Sequence, residues 1–139
     1  MLKFFFHLAA LAVLPFWMLV IFLPHWEKTR ILLDSLAVLA IPLLAYNVLA
    51  LPRLRSLALL LFHRDVFERY VKAVATPGGA VLMWAHVSAF DLFVGRYIYN
   101  DAMTRVLSWW WVGPILLVTM IAGPIGLGAY LLALAFLHP

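Results

Sequence analysis

The stretch Trp84-Ala85-His86-Val87-Ser88-Ala89-Phe90-Asp91-Leu92-Phe93-Val94-Gly95-Arg96-Tyr97 sets an imidazole, a carboxylate and a guanidinium into a run that otherwise reads as a membrane-spanning helix. An ionisable group at membrane depth costs roughly 2.5–3.5 kcal/mol on insertion scales, so such groups are rare there and mark function by default. Around them, 67% of the 139 residues are hydrophobic and 12% are charged, which excludes an ordinary soluble domain. Most other residues read as lipid-facing or packing positions. His86, Asp91 and Arg96 do not.

Working outward, residues 80–99 form one apolar span, preceded by the turn Thr76-Pro77-Gly78-Gly79. Upstream, in residues 53–76, Leu57, Leu60, Leu61, Phe67, Val71 and Val74 recur at helical spacing, with Asp65, Glu68, Arg69 and Lys72 opposite. Asp65–Arg69 and Glu68–Lys72 are i,i+4 pairs with the acid first, the favourable order. This segment is expected to be an amphipathic helix at the interface. Before it, residues 31–51 read as a span with Asp34 near one end and Pro42 and Asn47 inside, and residues 4–23 as an uncharged span with Pro15 as a kink point. That first run has no small-residue cleavage site and no soluble chain behind it, so it is expected to be a retained helix rather than a signal peptide. Downstream, Trp109-Trp110-Trp111 marks a water interface, and residues 112–137 read as a fourth span interrupted by Gly113-Pro114 and Gly123-Pro124.

The expected fold is therefore a single all-α membrane domain: a four-helix transmembrane bundle with an amphipathic interfacial helix between spans 2 and 3. Four crossings bring both termini to one side, together with Lys3, Arg53, Arg55, Arg64, Arg69 and Lys72; the other side holds Lys28, Arg30, Arg96 and Arg105. This six-to-four asymmetry puts both termini in the cytoplasm, in a bacterial inner membrane. The net charge of +4 is thus a matter of topology, and no nucleic acid is expected as a partner. The chain has no cysteine, which removes disulfides and thiolate chemistry.

At about 100° per residue, His86, Asp91 and Arg96 lie near 0°, 140° and 280°, so one helix does not turn all three toward one small ligand. Either the helix is central, with partners on several sides, or the groups serve different tasks. Asp91 reads as a proton-transfer group or as a carboxylate bonded to a neighbouring helix. His86 reads as a general acid or base or as a packed neutral histidine. Arg96 reads as an interface anchor. His86 and Asp91 have the wrong spacing for one metal site, and His7, His25, His63 and His138 are scattered, so no metal or other cofactor is expected. The Gly123-Pro124-Ile125-Gly126 element is no phosphate loop: no strand precedes it and no lysine follows. Ala122 and Gly126, four apart, permit close helix approach. Trp84, Phe90, Phe93, Asn47, Thr119, Gly123 and Gly126 are the ligand-lining or packing candidates.

Thr76-Pro77-Gly78-Gly79, Trp84-Ala85-His86, Ala89-Phe90-Asp91-Leu92-Phe93-Val94-Gly95-Arg96, Asp101, Pro114, Leu117, Thr119, Gly123-Pro124 and Gly126 resemble the abscisic-acid-deficient family, whose plastid members are required for neoxanthin synthesis from violaxanthin. Pro15-Phe16-Trp17 and Pro24, Trp26 and Thr29 extend the resemblance over nearly the whole chain. The Ala-Phe-Asp-Leu-Phe-Val-Gly-Arg string is its specific part. The chain lacks the Ser-rich plastid extension and looks like a compact bacterial relative.

The resemblance implies a four-helix membrane protein with carotenoid-related chemistry and an apolar polyene or isoprenoid ligand beside membrane lipids. As an enzyme it would be an isomerase. Opening an epoxide to an allenic alcohol needs a base for a carbon-bound proton and an acid for the oxygen. Asp91 is then the base, His86 the acid and Arg96 the anchor, without a cofactor. A non-catalytic lipid- or carotenoid-binding protein, or an accessory scaffold, is the alternative that the residues leave open.

Overall fold

The computed structural model describes residues 1–60 and 62–137; the expectations for Leu61 and His138 fall outside them. Helix α1, Leu2–Phe22, is apolar throughout. It stops at Leu23 (φ −129°), since a residue before a proline is pushed out of the helical region. The short helix α2, Glu27–Asp34, follows and carries Glu27 in its first turn, where the helix dipole favours an acid. Ser35 then restarts the chain: its Oγ accepts from the N–H of Ala37 at 3.1 Å and opens a tight turn, Leu36–Leu39. Helix α3, Ala40–Ala50, a second tight turn, Leu51–Arg53, and helix α4, Leu54–Leu60, complete an apolar run long enough to span, Leu36–Leu59.

Helix α5, Val66–Val74, is strongly two-sided, and Arg69 pairs with Asp65 at 3.2 Å on its exposed face. An exposed i,i+4 pair of this kind contributes only about 0.3–0.5 kcal/mol. Helix α6, Pro77–Thr104, is the longest at 28 residues, about 42 Å. Its start is specified locally: Thr76 Oγ1 accepts from Gly79 N–H at 3.0 Å, and Pro77 stands where a missing N–H is harmless. Beyond its end, Val106 takes φ 53° and the N–H of Leu107 returns to the Ala102 carbonyl at 2.9 Å. Helices α7, Trp109–Ile121, and α8, Gly123–Leu137, complete the chain.

Among the described residues three helical runs are long and apolar enough to cross a membrane, not four: Leu2–Phe22, Leu36–Leu59 and Pro77–Thr104. The expected fourth span is a hairpin. At Ala122 the backbone leaves the helix (φ −151°, ψ 81°), and α8 folds back along α7. Trp111 near the start of α7 stacks on Tyr130 of α8 with ring centroids 5.9 Å apart. In a continuous helix those rings would be separated by about 28 Å of axial rise. Near the tip, Gly126 lies so close to Thr119 that a Cβ would collide with its backbone and hydroxyl. A glycine at this position lets the two backbones approach.

Helix α6 is the hub, with α1, α3, α7 and α8 around it. The main core joins Trp17 and Val20 of α1, Leu33 of α2, Leu92, Ile98 and Tyr99 of α6, Val112 and Leu116 of α7 and Tyr130 of α8. The Trp17 ring occupies the place of a side chain at Gly95, and that exchange fixes the α1–α6 approach. A smaller cluster of Ala9, Leu49, Val81 and Ala85 joins α1, α3 and the first half of α6. The apolar residues on the outside, such as Leu11, Leu44, Phe93 and Ile125, match a hydrocarbon environment.

Candidate functional site

His86, Asp91 and Arg96 of α6 meet three different sets of neighbours. Asp91 is the fifteenth of the 28 residues of α6, at mid-depth, and only 7% exposed. Its Oδ1 accepts from the backbone N–H of Gly123 at 3.1 Å. That N–H opens α8, and a helix start leaves four donors without intrahelical acceptors. The account for α8 closes: Gly123 N–H goes to Asp91, Pro124 has none, and the N–H groups of Ile125 and Gly126 go to the Ala122 carbonyl at 3.0 and 3.1 Å. In hydrocarbon no water would replace such partners.

Arg96 serves the opposite end of another helix. Its Nη2 donates to the Asp34 carbonyl at 2.7 Å, while Asn100 Nδ2 reaches the Leu33 carbonyl at 3.4 Å. Both acceptors are terminal carbonyls of α2, where a cation also suits the dipole. Tyr99 and Trp109 do the same for the end of α1: Tyr99 Oη donates to the Pro24 carbonyl at 2.7 Å and Trp109 Nε1 to that of Ile21 at 3.4 Å. At the far end of α6, Asp101 Oδ2 accepts from both Tyr130 Oη at 2.6 Å and Arg105 Nε at 2.8 Å, which ties α8 to α6.

His86 is different. No protein hydrogen bond to its ring occurs among the described residues, and it stacks on Phe90 at 4.7 Å and tilts against Tyr46 at 5.3 Å. It lines a cavity of about 530 Å³ between α3, α4, α5 and the first half of α6. Arg53 lies beside Gly78 at the outer end, and Tyr46 lies beside His86 farther along α6; Ser56 and Tyr70 also line the space, with Leu57, Val74, Leu82 and Met83 as apolar walls. From Gly78 to His86 the cavity follows about 12 Å of α6. An elongated space of this kind, apolar with a few polar groups at its ends, suits an amphiphilic ligand.

Asp91 and Arg96 are not among the lining residues, so His86 stands apart from both. Of the other candidates, Trp84 stacks on Phe6 at 5.2 Å, Phe90 covers one face of His86, and Phe93 is half exposed. Asn47 is exposed and donates to the Leu43 carbonyl of its own helix at 2.8 Å. Thr119, Gly123 and Gly126 belong to the hairpin: the Thr119 hydroxyl donates to the Ile115 carbonyl at 2.8 Å. The residues that sequence reasoning passed over are Tyr46, Arg53 and Tyr70. Tyr46 and Arg53 are seven apart, two helical turns on one face, and that spacing was the available signal.

Neither the curated proteins nor the solved structures offer a match to this chain. Among protein families, residues 4–130 match the one described as ABA DEFICIENT 4-like. The match takes in α1 through the hairpin turn and reaches Tyr130, and with it every group whose geometry is described above. The chain belongs to the ABA DEFICIENT 4-like family.

Proposed function

We propose that this membrane protein binds a carotenoid or similar isoprenoid by one end in the cavity of His86 and isomerises that end by acid–base chemistry. The observation that carries this reading is the cavity itself: an elongated, largely apolar space in which His86 and Tyr46 are neighbours. The carotenoid class comes from the family resemblance. The His86 ring takes a carbon-bound proton, and the released pair forms the new double bond. The adjoining C–O bond breaks toward oxygen, and the Tyr46 hydroxyl supplies the proton that the oxygen needs. Return of the proton from His86 to Tyr46 restores both groups, and no electrons are gained or lost. This moves the base from Asp91 to His86 and the acid from His86 to Tyr46.

A second reading, binding without turnover, is favoured by one observation. Asp91, Arg96 and Asp101 all hold neighbouring helices, which leaves the cavity without a carboxylate. Mass spectrometry of pigment and lipid extracted from the purified protein identifies the ligand, and conversion of that ligand by His86→Gln and Tyr46→Phe separates the readings. Retention of ligand with loss of conversion supports the isomerase. Conversion at the wild-type rate in both folded variants ends it.

A further inference from the structure

The outer end of the same cavity has a charge with no counterpart. Arg53 Nη1 donates to the Leu49 carbonyl at 2.7 Å, which fixes one edge of the guanidinium. The other edge lies beside Gly78, where an added Cβ would stand 3.6 Å from Nη2. No Asp or Glu lines the cavity, none lies in the first turn of α6, and no carboxylate pairs with Arg53 among the described residues. Ser56 and Tyr70 also line the cavity, and their hydroxyls make no hydrogen bond among the described residues. From the guanidinium, the apolar walls Leu57, Val74, Leu82 and Met83 lead inward.

We propose that the outer cavity is a binding site for one anionic phospholipid, its phosphodiester on Arg53 with Ser56 and Tyr70 and one acyl chain along Leu57, Val74, Leu82 and Met83. A single guanidinium with an open edge calls for a single phosphate, which arginine engages through its planar fork. The hydrophobic length beside it excludes a bare ion as the full occupant. The surrounding segment strengthens the preference for anionic over zwitterionic lipid: Arg53, Arg55, Arg64, Arg69 and Lys72 outnumber Asp65 and Glu68. Each basic residue near a membrane surface adds about 1 kcal/mol of attraction to anionic lipid. The proposal stands independently of any isoprenoid chemistry at His86.

Native mass spectrometry of the detergent-solubilised full chain tests it, with phosphatidylglycerol, phosphatidylcholine or inorganic phosphate added separately. The wild type is expected to retain one phosphatidylglycerol through gas-phase activation that strips phosphatidylcholine. Arg53→Gln should lose it, and Arg55→Gln should keep it. Gly78→Glu provides a second test that leaves Arg53 in place: the new carboxylate occupies the open edge, and an acid in the first turn of α6 favours the helix. Gly78→Glu should abolish retention while thermal stability holds, and it decides the matter if Arg53→Gln does not fold. Equal retention of the two lipids, retention by folded Arg53→Gln or Gly78→Glu, or displacement of the lipid by inorganic phosphate would overturn the assignment.

Discussion

The Asp91 carboxylate of α6 is the acceptor for the first N–H of α8, that of Gly123, at 3.1 Å and at mid-depth of the longest span. A side chain thirty-two positions earlier thus does what an N-cap residue ordinarily does locally. Pro124 reduces the demand, because it has no N–H to satisfy. The hairpin tip can therefore sit at bilayer depth without an orphaned donor, and the chain can turn back instead of crossing.

That role predicts an ordering of variants. Asp91→Ala strands the Gly123 N–H and should cost about 1–3 kcal/mol. Asp91→Asn keeps a carbonyl oxygen in place of Oδ1 and should stay within about 1 kcal/mol of wild type. Thermal unfolding in detergent checks both. Full conversion by Asp91→Asn agrees with the cap, whereas a well-folded Asp91→Asn without activity would return the carboxylate to the catalytic centre.

Membrane class, all-helical content and the family were legible in the sequence, because composition and one specific string carry them. The count of crossings was not. Residues 112–137 have the length and apolarity of a span, and Gly123-Pro124 reads equally well as a kink and as a hairpin tip. The deciding facts are long-range: the Trp111–Tyr130 stack and the Asp91–Gly123 bond. The angular separation of His86, Asp91 and Arg96 excluded one small ligand shared by all three along one helix and left open whether they serve separate neighbours. It did not name those neighbours, since Asp34 and Gly123 are brought to α6 only by tertiary packing. The cavity combines α3, α4, α5 and α6 and left only the Tyr46–Arg53 spacing as a trace.

Gly95 and Trp17 are a second coupled pair. A Cβ at Gly95 would run into the indole ring of Trp17, which is 2% exposed. Gly95→Ala should therefore destabilise by about 1–3 kcal/mol through overpacking. Trp17→Leu alone should lose a similar amount or more by leaving a void. The double variant should lose less than the sum of the two, and a double-mutant cycle by thermal unfolding measures the difference. Strict additivity would mean that the ring does not occupy the glycine's space.

Val106 is a β-branched residue at φ 53° and 89% exposed, so it bears left-handed strain and has little packing to lose. Left-handed backbone costs a non-glycine residue roughly 1–2 kcal/mol. Val106→Gly should stabilise the protein by up to about 1 kcal/mol, offset in part by the greater freedom of glycine in the unfolded chain. A rise in Tm with unchanged ligand retention is the expected result, and a fall in Tm would mean that Val106 is held by something other than its turn.

The hairpin also predicts where the chain ends. If the three candidate spans cross and the hairpin enters and leaves on one side, the N- and C-termini are expected on opposite sides of the membrane. Lys3 and the segment of α5 share one side, and the Val106 turn and Phe136 share the other. By the positive-inside rule, the six basic residues at positions 3, 53, 55, 64, 69 and 72 against the four at 28, 30, 96 and 105 predict that the first side is cytoplasmic. The absence of native cysteine makes single-cysteine labelling direct. Lys3→Cys and Phe67→Cys should be protected from an impermeant maleimide in intact cells, while Val106→Cys and Phe136→Cys react. Residues 67, 106 and 136 are 71%, 89% and 81% exposed on the protein itself, and labelling in permeabilised cells separates sidedness from shielding by lipid. Labelling of positions 3 and 136 from the same side would require a fourth crossing. It would also require the Trp111–Tyr130 stack to be absent in the membrane, and with it the cap role of Asp91.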